Sequence, residues 1–150
     1  MKYKEALERA AALCSSQERN TRYMLRKLSE WDVSEQDAGK IIQKLKEEKF
    51  LDDERYASFF VKDKFRFNRW GRIKIRYALR QNGIPEQAIE TALNQINQEE
   101  YEKVCRELLA QKSAALKETG SYEKKARLLR FASQRGFETD LIYKILQMDE

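Results

Sequence analysis

The chain has 150 residues, with 30 lysines and arginines against 25 aspartates and glutamates, no histidine, two cysteines and one proline. That length fits one domain or a short array of small repeats, and five glycines and one proline argue against a loop-rich or sandwich fold. Without an imidazole there is no Ser-His or Cys-His nucleophile and no ordinary zinc set; catalysis through carboxylates or lysine stays open, but the balance shifts towards a protein that is not an enzyme and needs no cofactor or metal.

Met1-Lys2-Tyr3-Lys4-Glu5 leads into a charged helical pattern, which does not read as a signal peptide. The longest apolar run, residues 10–14, is far short of the roughly 20 residues that a membrane span needs. A cytoplasmic protein with no membrane contact is expected. Helical periodicity then predicts helices near 2–14, 16–31, 34–49, 53–68, 70–82, 85–97, 99–118, 121–135 and 138–148. Ser15-x-x-Glu18 reads as a capping box that starts the second helix, and Ser34-x-x-Asp37 as a weaker one that starts the third. Asp52, Asp53 and Glu54 place carboxylates at the start of the fourth; three in succession point in different directions and suit a cap better than a metal. Gly83-Ile84-Pro85 and Gly120-Ser121 read as a helix stop followed by a start, and Gly136-Phe137 repeats the first without the proline. Cys14 and Cys105 stand apart at apolar helical positions. They read as buried small hydrophobes in a reducing compartment, with a disulfide between them as the alternative.

These helices fall into three triplets. Gly83-Ile84-x-x-Gln87-x-Ile89-x-x-Ala92-Leu93 has the frame of Gly136-Phe137-x-x-Asp140-x-Ile142-x-x-Ile145-Leu146, 53 residues later, and Val33-Ser34-Glu35-Gln36 with Ile41-Ile42 fills it 51 residues earlier. A period near 50 with three helices per unit predicts an all-α, elongated array of three tandem three-helix, helix-turn-helix-like repeats, at 1–51, 52–97 and 98–150.

Charge is distributed in blocks. Residues 62–80 hold Lys62, Lys64, Arg66, Arg69, Arg72, Lys74, Arg76 and Arg80 against Asp63 alone, and residues 103–135 carry nine basic side chains against three acidic. The stretch 81–102 between them has five glutamates and no base. Blocks of one sign suggest faces offered to a polyanion or an acidic protein surface. On a helical plot of 69–82, Ile75, Ala78, Leu79 and Asn82 share the core side, while Arg69, Ile73, Arg76, Tyr77 and Arg80 cluster opposite. Two readings of that second face stand side by side. Either Ile73 and Tyr77 pack on the adjoining repeat and the arginines only solubilise, or the arginines meet phosphates or carboxylates beside Tyr77. The alternation Lys64-Phe65-Arg66-Phe67-Asn68-Arg69-Trp70 favours binding, with Phe65 and Trp70 packing in the core and at the helix corner. Helix 85–97 has no basic residue and is a poor guest for a DNA groove, so sequence-specific readout is not expected. No glycine-rich phosphate loop occurs.

Phe50-Leu51-Asp52-Asp53-Glu54-Arg55-Tyr56-Ala57-Ser58-Phe59, with Lys64, Arg66 and then Gly71-x-x-Lys74-Ile75-x-x-x-Leu79-x-x-x-Gly83-Ile84, resembles the RecX family, regulators of the bacterial recombinase RecA. The resemblance extends to the first triplet through Ala11, Leu13, Arg19, Met24, Leu25, Lys27 and Leu28. It reaches the third through Lys112, Arg130, Arg135-Gly136-Phe137, Ile142 and Leu146. Asn20 replaces a usual serine, and Trp31-Asp32 replaces the glycine expected before Val33. The resemblance implies a monomeric modulator, mainly an inhibitor, that binds RecA and the RecA–DNA filament. It also implies weaker, non-specific contact with single- and double-stranded DNA. For such binding the charge blocks and the helical face supply the candidate set Lys62, Lys64, Arg66, Arg69, Arg72, Lys74, Arg76, Tyr77 and Arg80, with Lys124, Lys125, Arg127 and Arg130 of the third triplet.

Overall fold

The structure is a computed structural model that describes residues 1–147. Among the described residues it has nine helices and no strand: α1 (Tyr3–Ser16), α2 (Thr21–Glu30), α3 (Glu35–Glu47), α4 (Asp53–Arg66), α5 (Arg72–Gln81), α6 (Glu86–Leu93), α7 (Gln98–Ala115), α8 (Ser121–Gln134) and α9 (Thr139–Leu146). The all-α expectation holds, and each predicted helix is present; the predicted end at 148 lies outside the described residues. Several helix starts carry side-chain caps. Ser34 accepts from the Asp37 amide, Asp52 from the Arg55 amide at 3.0 Å and Asn97 from the Glu100 amide.

One start differs from its prediction by more than two residues. α1 runs through Ser15 to Ser16, whose hydroxyl turns back to the Leu13 carbonyl at 2.8 Å, and Gln17 is extended. The cap of α2 is instead Asn20, which accepts the Tyr23 amide at 2.7 Å. A short amide side chain thus serves as the cap.

The repeat is written in three corners with the same hydrogen bonds. Val33, Ile84 and Phe137 each donate five residues back, to the Leu28, Leu79 and Ala132 carbonyls, at 3.0–3.1 Å. Asp32, Gly83 and Gly136 each donate three residues back and take positive φ of 58°, 75° and 98°. This is a Schellman ending, with the left-handed residue at C′ and a buried apolar residue after it. Asp32 thus occupies the left-handed position without being glycine, as short polar side chains can.

The chain packs into two compact units, Met1–Phe60 with Leu79–Ala92, and Val61–Ala78 with Leu93 onward. In the first, Ala6, Ala10 and Cys14 form the inner stripe of α1 and pack with Met24, Leu28, Ile41 and Leu45. Complete burial of each large aliphatic side chain contributes about 1.5–3 kcal/mol. Polar pins fix the periphery: Asp53 accepts from the amide and hydroxyl of Thr21, both at 2.9 Å. Arg55 joins Glu18 at 2.8 Å to the Lys49 and Phe50 carbonyls.

In the second unit the core centres on Tyr101, fully buried, stacked with Phe65 at a ring separation of 5.8 Å and tilted against Phe137 at 5.1 Å. Its hydroxyl donates to Glu138 and accepts from the Arg72 amide at 2.9 Å. Burial, reinforced by that carboxylate, pushes the phenol well above its usual range, so it stays a donor. Beside it two glycines meet. The Gly71 and Ile73 amides at the start of α5 donate to the Arg135 and Gly136 carbonyls at the end of α8, at 2.7 and 3.0 Å. A methyl on Gly71 would strike the Gly136 backbone, and one on Gly136 would lie 2.5 Å from the Lys74 Cβ. Cys14 and Cys105 are both buried free thiols. Burial raises both, Cys105 to about 12, which leaves them as inert small hydrophobes.

Candidate binding surface

α5 is shorter than its pattern. The glycine clasp at its start means that Arg69, plotted on the helix, lies ahead of it in a left-handed conformation (φ 55°), with its guanidinium 3.6 Å from Glu107. On α5 itself, Ile75 and Leu79 are fully buried, as expected. Ile73 and Tyr77 are 49% and 65% exposed, on the side that also carries Arg76. An aliphatic and an aromatic residue in solvent beside a guanidinium make a contact surface of mixed chemistry.

The cations differ in what holds them. Arg72 is a brace. Its guanidinium lies 3.8 Å over the Tyr101 ring and reaches Gln98 at 2.7 Å and Glu138 at 3.3 Å. Arg80 forks onto Glu86 at the start of α6, Nε to the two oxygens at 2.9 and 3.0 Å. That pair is exposed, and the carboxylate raises the pKa of Arg80. Lys62 and Arg66 are exposed on α4. On α8, Lys125 and Arg130 are exposed, Lys124 is half-buried, and Arg127 pairs with Glu123 at 2.7 Å.

Lys64 and Lys74 converge on Trp70, 5.1 and 4.6 Å from its ring centre. Trp70 is half-buried and borders a cleft of about 420 Å³ with Asn68, Lys74, Phe131, Gln134 and Arg135. Phe131 and Gln134 also border a second cleft, of about 280 Å³, with Lys112, Leu116, Arg127 and Arg130. Over the Phe131 ring stand Arg135 at 5.2 Å and Lys112 at 5.3 Å. Phe131, Arg135 and Lys112 stand outside the binding set that the sequence implies. The signal that marks them is a phenylalanine between two arginines four residues either side of it, close to the third corner.

Residues 52–93 match the second three-helix domain of RecX, and residues 99–146 the third, together more than half of the chain. A regulatory protein RecX of Clostridium botulinum is 38% identical over 124 residues, covering 81% of this chain and 57% of that protein. One from Clostridium beijerinckii is 30% identical over 149 residues, covering 98% and 68%. The chain thus spans little more than half the length of several of the relatives that it matches. Among solved structures, RecX from Lactobacillus salivarius superposes with a TM-score of 0.90 at 22% identity, covering 97% of this chain and 94% of that one. Another crystal structure of a regulatory protein RecX gives 0.88 at 25%, covering 97% and 71%. The matches to two RecX three-helix domains and the similarity to the Clostridium beijerinckii relative over nearly the whole chain show that the chain belongs to the RecX family of regulatory proteins.

Proposed function

We propose that this chain modulates the RecA recombinase, mainly as an inhibitor. It binds RecA and the RecA–DNA filament through basic helical faces, blocks filament extension, and so lowers ATPase, strand-exchange and co-protease activity. The observation that carries the reading is the α5 face within the family-matched segment, with Ile73 and Tyr77 in solvent beside Arg76. Lys62, Arg66, Lys125 and Arg130 extend the positive surface, whereas Arg72 serves the fold. The chain acts as a cytoplasmic monomer, and 1–51, 52–97 and 98–150 serve as three tandem repeats. Several weak contacts on successive filament subunits then add through effective concentration. DNA alone is held more weakly and without sequence preference, by phosphate contacts.

The test is a binding titration against DNA alone, RecA alone and the assembled filament, with RecA's DNA-dependent ATPase read in parallel. Tightest binding to the filament, with ATPase falling at stoichiometric protein, is expected. Equal affinity for DNA with and without RecA would make the chain a stand-alone nucleic-acid-binding protein. Unchanged ATPase and strand exchange would end the regulatory reading. Arg69, Arg76 and Arg80 to Ala together should weaken filament binding with the melting curve little changed; unaltered binding would return these arginines to a solubilising role.

A further inference from the structure

We propose that the Trp70–Phe131 cleft of the second unit is a binding site for an unpaired stretch of nucleic acid, with one base against an aromatic ring and the surrounding cations on its phosphates. This deepens the functional reading above and rests on it for its setting. Several features meet here. Two half-buried rings border cavities that share Phe131 and Gln134, and no carboxylate borders either among the described residues. Lys64, Lys74, Lys112 and Arg135 all lie within 5.3 Å of a ring centre. Lys74, Lys112 and Arg135 form no ion pair among those described; Arg135 donates to the Asn68 carbonyl at 3.2 Å. A cation held by a ring keeps its charge available, whereas one held by a carboxylate is neutralised.

The charge pattern suits a polyanion or an acidic protein surface, and the two aromatic rings favour a polyanion that carries bases. Every base has a π-face that stacks on an aromatic side chain without regard to sequence, and only an unpaired base can present it. In a duplex those faces are covered by neighbouring base pairs, so a duplex meets only the rim. A cleft of about 420 Å³ lies within the usual range for small planar ligands. Its walls are also preset: Trp70 and Arg135 each precede a glycine of the clasp, and the Gly71 amide is fixed to the Arg135 carbonyl at 2.7 Å. Such fixing lowers the ordering cost of binding. The lysine stems are long enough for their ammonium groups to swing from ring to phosphate as the strand arrives.

The chain has two tryptophans, so Trp31→Phe leaves Trp70 as the sole indole reporter. The Trp31→Phe protein is titrated with oligo(dT), an abasic oligonucleotide of equal length, a duplex and inorganic polyphosphate. Oligo(dT) should quench the Trp70 emission, while the abasic strand and polyphosphate bind without quenching. Trp70→Leu with Phe131→Leu should weaken oligo(dT) about tenfold or more and leave the abasic strand unaffected. If that pair does not fold by circular dichroism, Lys74→Gln with Arg135→Gln replaces it. It should flatten the dependence of log affinity on log salt by about 0.7 for each phosphate that is no longer neutralised. Oligo(dT) binding with unchanged Trp70 emission, or equal quenching by duplex or polyphosphate, would overturn the site. RecA ATPase left untouched while the quench persists would sink the regulatory reading and spare the cleft; the opposite pattern would spare regulation and sink the cleft.

Discussion

The corner at Asp32 and the corner at Gly136 have the same hydrogen bonds and the same left-handed turn, yet they tolerate different residues for different reasons. Val33 and Phe137 donate to Leu28 and Ala132 at 3.0 and 3.1 Å, and φ is 58° at Asp32 and 98° at Gly136. At position 32 the turn asks only for a residue that accepts positive φ, and an exposed aspartate supplies it. At position 136 the turn also lies against the start of α5, so any Cβ meets Lys74. Glycine there is demanded by neighbours as well as by the backbone. A glycine in a motif can therefore mark a turn or a close approach, and only the second fails to be replaced by a short polar residue.

The most severe way to break this comparison is Gly136→Ala. It should cost about 3 kcal/mol or more, read from the urea midpoint, because clash and positive φ add. Asp32→Ala should cost about 1 kcal/mol, and equal losses at the two corners would refute the close-approach account. Next in size, Tyr101→Phe leaves Glu138 and the Arg72 amide without their shared partner beside the Gly136 corner. A loss of about 2 kcal/mol with unchanged helix content is expected.

The cysteines extend the comparison to the two units. The folded pKa of Cys105, about 12, lies above that of a free thiol, about 8.5. Its neutral form therefore stabilises the fold fully below the unfolded value, and that stability is lost as pH rises from there towards the folded value. Cys105→Ala should make the alkaline decline of stability shallower, by up to about 1.4 kcal/mol per pH unit. The Cys14 thiol is also raised by burial, with Arg19 acting against it, so Cys14→Ala should flatten the decline less. The smallest effect belongs to Asp32→Gly, which should raise stability by about 0.5 kcal/mol, since glycine accepts the same φ more readily. A loss there would mean that Asp32 contributes more than its turn.

Much of this was legible from residue order. Period, helix count and all three corners follow from apolar spacing and from Gly83 and Gly136. Ser34 and Asp52 announce their caps because capping is local, within three residues. The Ser15 box misled for the same reason: Ser16 and Arg19 both turn to the Leu13 carbonyl, and the next cap passes to Asn20. Pro85 fell one position outside α6, its carbonyl accepting from Ile89. Arg72 could not be told from Lys74 by sequence, being two residues away in one basic block. Its partners Gln98 and Tyr101 come from α7 and Glu138 from the corner between α8 and α9, 26 to 66 positions along the chain. Phe131 was hidden likewise, since its place beside Trp70 depends on a backbone clasp that no periodicity encodes.

That clasp also orders events in time. The first amides of α5 have their acceptors at Arg135 and Gly136, roughly 65 residues downstream. A bacterial ribosome adds about 5–20 residues each second. The start of α5 therefore leaves the exit tunnel several seconds before its acceptors do, with Trp70 not yet anchored. Meanwhile the first unit can assemble its α1–α3 core, which needs nothing from beyond residue 51. Assembly of the second unit is then triggered late, by the arrival of a single glycine corner. A ribosome stalled between residues 85 and 130 would hold a finished first core beside a basic, unclasped segment, and that segment is where a chaperone should first be found.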